Sequence, residues 1–346
     1  MTPKKKTTIK DIARESGFSL STVSLVLNNH PRISQATRDK VMEVVAKYDF
    51  HPNASARGLA SKTSRIIGVV IPYVERLFAD VYIEEILSGI YKAAVAHGYK
   101  MLLDAATDSF IRSKEALRML QCRQVDGILF IASDINSNYL SVFENSPHPF
   151  LVVNHLFPGR RLDYICIDYE QSARLAAEHL LSLGHRHIGL IAGTNTFTGI
   201  RFRDEFLRLC RDALGEKGKI NWVDGGVEWG SQGGYSAAAK LMRELPTTTA
   251  IMAANDRLAL GAMRWFAEHG RKIPGDVSIM GADNIPSSQW TSPGLTTIEH
   301  DLPGLGEKAF ERLLARIRGE EPKGDRLLPV TLIKRASTGR AKRSRE

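Results

Sequence analysis

From Ile66 onward, short apolar runs alternate with stretches of helical periodicity. Residues 66–71 (IIGVVI) form a continuous apolar run, the pattern of a parallel strand buried on both faces. A helical stretch over 83–98 follows, with Ile86, Leu87, Ile90, Ala94 and Val95 on one face. The alternation then predicts strands over 100–104, 127–131, 150–153, 187–191, 250–253 and 278–281. Helices are predicted over 113–121, 172–183, 203–214, 235–245 and 258–269. Such an order builds parallel sheets with helices on both faces. Two series of this kind imply two doubly wound lobes.

The first fifty residues are patterned differently. Thr8 precedes the amphipathic run Ile9–Ser16, with Asp11 placed to favour the positive end of the helix dipole and Gly17 to stop the helix. Ser19 caps a second run, 20–28, and a third helix follows Ser34 as far as Tyr48. Ile12, Ala13, Val23 and Val26 can supply a small core. Three short helices, the first two joined by a glycine-containing turn, describe a helix-turn-helix module. Ser19, Ser21 and Thr22 then suit two roles, capping a helix or meeting phosphate oxygens.

Charge agrees with a polyanionic partner for this module. The 346 residues carry a net charge of +9, but residues 1–65 alone hold +7 and residues 334–346 hold +5. Subtracting both leaves the 268 residues between at −3. A basic N-terminal module before a mildly acidic body points to nucleic acid ahead of membrane. No apolar run reaches the 18 residues of a membrane span, and the N-terminus lacks the apolar segment of a signal peptide. The three cysteines, Cys122, Cys166 and Cys210, stand far apart, which argues against zinc or a disulfide framework and fits a reducing cytoplasm. No GxGxxG follows the first strand, and GxxxxGK[ST] and GxSxG are absent, so no cofactor, metal or hydrolase nucleophile is expected.

The stretch TIKDIARESGFSLSTVSLVLNN, then ISQATRDKVMEVVAKYDFHPNASARGLAS, resembles the lactose/galactose repressor (LacI/GalR) family of bacterial transcription regulators. The body continues the resemblance through GHRHIGLIAG, ANDRLALGAM, PGDVSIMGADN, SPGLTTIEHD and LLPVTLIKRAST. The resemblance implies an α/β chain: a helix-turn-helix domain over 1–51, a hinge helix or linker over 52–64, and an effector-binding, dimerising body over 65–340 like periplasmic sugar-binding proteins. The expected first lobe is 65–167 with 298–328, and the second is 168–297 with 329–340. It further implies that Leu20, Ser21 and Leu25 face base edges, while Ser19, Thr22, Ser24, Asn28, Arg32, Ser34 and Thr37 follow the DNA backbone. Thr8, Asn53, Arg57 and Leu59 complete the DNA-facing set, with Leu59 as an apolar wedge in the duplex and Arg57 along the minor groove. From composition alone, residues 53–60 read as a flexible linker, and it is the resemblance that turns the reading to a hinge helix. Leu25 stands where many relatives carry Arg, so a guanine contact is replaced by apolar contact, for example with a thymine methyl.

The same resemblance places a small-molecule effector, a sugar or sugar derivative, at the carboxyl ends of the strands between the lobes. Asn255 and Asp283 follow strands and suit sugar hydroxyls, while Asp256 reads as structural. An arginine is expected from Arg201 or Arg203, with Arg203 preferred although the segment lacks the usual glycine before the aromatic residue. Trp229 reads either as a platform for a sugar ring or as a structural indole, and Tyr73 and Phe78 as cleft wall or core. Asn154 stands where relatives often carry Asp. The expected partners are double-stranded operator DNA, the effector and a second copy of the chain. Effector binding is expected to alter the angle between lobes, and through it the hinge.

Overall fold

The structure, a computed structural model, describes residues 7–27, 30–50, 63–72, 80–131, 138–226 and 229–342. It divides into two units, Met1–Ser64 and Arg65–Glu346.

The first unit contains α1 (Ile9–Ser16), α2 (Leu20–Leu27) and α3 (Gln35–Lys47). Thr8 and Asp11 open α1, the Thr8 N–H and hydroxyl both donating to Asp11 Oδ2 at 3.0 and 2.7 Å. Gly17 ends it in the left-handed conformation (φ 73°), which lets the chain turn within three residues. Ser19 Oγ accepts from the Thr22 N–H at 3.1 Å and Ser34 Oγ from the Thr37 N–H at 3.3 Å, so each helix is opened by a hydroxyl. Ile12, Val23, Val26 and Val41 close the core, each contributing about 1.5–3 kcal/mol of burial. Ala13, expected in that core, lies at its edge while Val41 of α3 fills the centre. Arg38 ties the turn after α2 to α3 through the Val26 and His30 carbonyls, at 3.3 and 3.2 Å.

The second unit holds two six-stranded sheets. Its first-lobe elements are β1 (Ile66–Pro72), α4 (Val81–Ala96), β2 (Lys100–Ala106), α5 (Asp108–Arg112), α6 (Glu115–Gln121), β3 (Gly127–Ile131), β4 (Phe150–Val153) and β5 (Tyr164–Ile167). The second lobe follows with α7 (Tyr169–Ser182), β6 (His187–Ala192), α8 (Phe197–Leu214), β7 (Lys219–Asp224), α9 (Ser231–Glu244), β8 (Ala250–Ala253), α10 (Asp256–Glu268), β9 (Ser278–Asp283) and β10 (Thr296–Glu299). The chain then returns as α11 (Leu302–Ile317) and β11 (Leu327–Leu328), and ends with β12 (Thr331–Ile333). Strand orders are β11-β5-β4-β3-β1-β2 and β12-β10-β9-β8-β6-β7, parallel throughout except for β10 with β12. The chain thus crosses between sheets three times, after β5, after β10 and after β11.

Close backbone packing fixes one helix pair of the first lobe. A Cβ on Gly89 of α4 would lie 1.9 Å from the Pro303 carbonyl oxygen of α11, and one on Gly306 would lie 2.2 Å from that of Ile86. Two glycines therefore let α4 and α11 touch backbone to backbone over the sheet.

Several elements differ from expectation. The helix expected over 113–121 starts two residues later, as α6 after Lys114 (φ 52°), and the short α5 before it is additional. Helix α8 begins six residues before Arg203, because Thr196 Oγ1 caps it by accepting from the Gly199 N–H at 3.0 Å. Strands β5, β7, β10, β11 and β12 and helix α11 are additional. The expected lobe boundary at 297/298 falls inside β10, whose Ile298 pairs with Ala282 of β9, so the return to the first lobe comes after Glu299. No helix among the described residues is long and apolar enough to cross a membrane.

Candidate functional site

On α2, the buried Val23 and Val26 point into the small core and leave the other side of the helix to solvent. Leu20 is 46% exposed and Leu25 37%, with Ser21 exposed beside them. Ser19 Oγ lies 2.8 Å from Ser21 Oγ and 2.9 Å from Thr22 Oγ1, forming a hydroxyl cluster at the positive end of α2. Ser34 and Thr37 repeat it at the start of α3, at 2.9 Å. Thr8, Arg32 and Ser34 are exposed, and Thr22, Ser24 and Thr37 half-buried. This face offers helix N-termini and hydroxyls to phosphates, and leucine side chains between them to apolar base edges. Asn28, Asn53, Arg57, Leu59, Tyr73 and Phe78 lie outside the described residues.

In the second unit, residues from the carboxyl ends of both sheets meet. Asp80 caps α4 through its Oδ1, which accepts from the Tyr82 N–H at 3.1 Å. Its Oδ2 accepts from Arg257 Nη1 of α10 at 2.9 Å, an ion pair between lobes. Neither residue was expected. Arg257 stands within the ANDRLALG segment beside Asn255, but its partner is 177 positions away.

Asn154 follows β4 in the left-handed conformation (φ 53°) and is buried. Its Nδ2 donates to Tyr82 Oη at 2.5 Å and Tyr169 Oη at 2.9 Å, and its Oδ1 accepts from the Ile167 N–H at 3.0 Å. Both donors and the carbonyl of the amide are engaged within the protein. Asn154 places two tyrosines, one from the start of each lobe's helix layer. Burial raises the pKa of both phenols, so they remain protonated donors at neutral pH.

Asp283 closes β9 at φ 100°, its side chain 9% exposed, and Oδ1 is hydrogen-bonded to His300 Nδ1 at 2.9 Å. Burial pushes its carboxyl pKa up, opposed by the His300 hydrogen bond. Asp256 is structural, as expected: its carboxylate accepts from Thr297 Oγ1 at 2.6 Å and the Ile285 N–H at 3.0 Å. Asn255 caps α10 by accepting from the Leu258 N–H at 2.8 Å, and its Nδ2 donates to the Trp229 carbonyl at 3.0 Å. Trp229 is half-buried and donates from Nε1 to Asn195 Oδ1 at 2.6 Å. Its indole lies over Gly193 and Gly199, where a Cβ would come within 2.5 and 2.6 Å of the ring. Asn255 and Trp229 therefore brace one another.

The two candidate arginines separate clearly. Arg203 stacks over the Trp222 ring of β7 at 4.7 Å and pairs with its neighbour Asp204. Arg201 Nε donates to Glu170 Oε1 of α7 at 3.1 Å. Arg203 faces the edge strand of its own sheet, and Arg201 faces the helix that follows the first crossing.

His155, next to Asn154, is 1% exposed. It packs edge-on to Phe157 (centroids 4.7 Å apart) and against Phe197 of α8 at 6.1 Å. Its Nε2 has no hydrogen-bond partner, and burial lowers its pKa to about 4.

Residues 8–53 match the family model of bacterial regulatory proteins of the lacI family, and residues 177–338 a periplasmic binding protein-like domain. Catabolite control protein A of Priestia megaterium is 30% identical over 331 residues, 91% of this chain and 93% of that protein. The lactose operon repressor of Escherichia coli (strain K12) is 32% identical over 338 residues, 96% and 91% of the two chains. The crystal structure of the lac repressor dimer bound to operator and the anti-inducer ONPF superposes with a TM-score of 0.82 at 30% identity, covering 97% of this chain and 100% of that one. Matched in both of its units and related at this level almost end to end, the chain belongs to the lacI family of bacterial regulatory proteins.

Proposed function

We propose that this chain is a transcription repressor that binds operator DNA as a homodimer, with a small effector, a sugar or sugar derivative, held between its lobes. The face of α2 carries this reading. Among the described residues, Leu20 and Leu25 stay outside the small core and are exposed on the face that carries the capping hydroxyls, and they suit a major groove in which backbone contacts set the register and apolar contacts choose the base. Likeness to the operator-bound lac repressor over both units supports the same pair of ligand classes here.

The cleft is a binding site and not a catalytic one on this reading. Tyr82, Tyr169, Asp283, Arg201 and Trp229 supply phenol donors, a carboxylate acceptor, a guanidinium fork and an indole face, the mixture that suits a polyhydroxylated ring. Asn154, Asn255 and His300 hold those groups. The Asp80–Arg257 pair connects the lobes and biases their closure. Exposed Tyr91, Val95, Leu102 and Trp290 (81% exposed) offer apolar surface for a second copy to cover. An operator-binding repressor works in the cytoplasm.

Selection of binding sites by the full chain from a random duplex pool tests the DNA half. The expected result is one two-fold symmetric sequence; a pool that stays random after enrichment overturns it. Thermal-shift measurement against D-glucose, D-galactose, D-ribose, lactose and cellobiose tests the effector class. At least one is expected to raise the melting temperature saturably, because a ligand that binds only the folded state stabilises it.

A further inference from the structure

The three crossings between lobes converge on the first turn of α7. His300 stands on the second crossing, between β10 and α11, and is fully buried. Its Nε2 lies 3.0 Å from Ser172 Oγ, and its ring meets Tyr169 edge-on at 5.3 Å; both partners belong to α7, which follows the first crossing. Gln171 of the same turn accepts from the Val330 N–H at 3.2 Å, on the third crossing. On its other side His300 Nδ1 donates to Asp283, the carboxylate at the carboxyl end of β9.

The chemistry orders this chain of contacts. With Asp283 as a carboxylate, which only accepts, the imidazole carries its proton on Nδ1. In the neutral ring Nε2 is then an acceptor, and Ser172 Oγ–H donates to it. Ser172 is fully buried inside a helix, so the Ser-His-Asp set, although spaced like a hydrolytic triad, presents no nucleophile to a substrate. A satisfied buried polar network in such a place holds one geometry and loses it when any member is removed.

We propose that His300 is a positioning residue that fixes the cleft carboxylate of Asp283 and ties it to the junction where the three interlobe crossings meet. The proposal rests on the reading of the cleft as the effector site. A ligand that engages Asp283 thereby acts on the junction about which the lobes turn, through a contiguous path that continues from Tyr169 to Asn154 and Tyr82 in the first lobe.

The test needs no effector and uses the full chain. Histidine ¹⁵N spectra are expected to show His300 with Nδ1 protonated and Nε2 unprotonated, the Nε2 resonance shifting on Ser172→Ala. Hydrogen exchange of residues 169–173, 300–304 and 329–331 is expected to quicken roughly tenfold in His300→Phe, which keeps the ring on Tyr169 but removes both hydrogen bonds. The same segments should quicken in Asp283→Ala, and His300→Gln, which retains a donor and an acceptor, should restore slow exchange. An unprotonated Nδ1 overturns the proposal, and so does unaltered exchange at the junction in Asp283→Ala. A sugar panel without a melting shift would instead overturn the effector class and leave these readouts to decide the role of His300.

Discussion

His155 makes the stability of the second unit depend on pH in a way that can be isolated. Its imidazole is buried between aromatic rings of both lobes with an unpaired Nε2, and its pKa falls from 6.5 to about 4. Below pH 6.5 the unfolded chain takes up a proton that the folded site refuses. The contribution is therefore complete above 6.5, declines as pH falls, and is gone below about 4. A displacement of that size corresponds to about 3 kcal/mol in full, of which about 2 kcal/mol is lost between pH 7.5 and pH 5. His155→Leu fills much the same space with no group to protonate. Melting temperatures of the wild type and variant, measured from pH 7.5 to 5, should diverge by about 4 °C at the acid end, at about 2 °C per kcal/mol for a body of this size. Other titrating groups are common to both proteins and cancel in the difference. At pH 7.5 the variant should be as stable as the wild type or more so, having lost an unsatisfied buried nitrogen. Parallel curves across the range would refute the argument, since the imidazole would then be as free to charge in the folded protein as in the unfolded chain.

Three other outcomes are expected. Arg257→Ala should loosen lobe closure by about 1 kcal/mol, since the pair with Asp80 is partly exposed and screened; a distance distribution between spin labels on the two lobes should broaden, and an unchanged one would remove the pair from the closure equilibrium. Leu25→Arg should move the selected base toward guanine, with discrimination of about 1–3 kcal/mol; site selection that returns the wild-type sequence would take Leu25 away from the base edges. Gly89→Ala should lower the melting temperature steeply, since its Cβ meets a backbone oxygen at 1.9 Å and α4 must separate from α11; a shift of a degree or less would contradict that packing.

Much of this was legible because buried parallel strands announce themselves. Residues 127–131 and 150–153 are uninterrupted apolar runs, and their limits agree with β3 and β4 to the residue. Strand β7 (KINWVD) alternates polar and apolar residues at a sheet edge, and β11 has two residues, too few to show a period. Helix α11 hid behind Pro303, Gly304 and Gly306. The proline sits in the first turn, where no N–H is missed, and Gly306 is there for α4 and not for a turn. Gly199 lies inside α8, where it makes room for Trp229. Asn255 and Asp283 could be placed at the ends of β8 and β9 because strand ends can be found. The Asp80–Arg257 and Asp283–His300 contacts join distant segments, and no local spacing encodes them.

The position of β11 sets an order on synthesis. The outer strand of the first sheet is residues 327–328, and the helix that covers that sheet is 302–317. While the chain leaves the ribosome, strands β1 to β5 emerge early but lack their covering helix and their last edge until five of the six strands of the other sheet have also emerged. The lobe that begins first cannot finish first, so a nascent chain stalled before residue 302 would expose the apolar face meant for α11 and depend on chaperones to stay in solution.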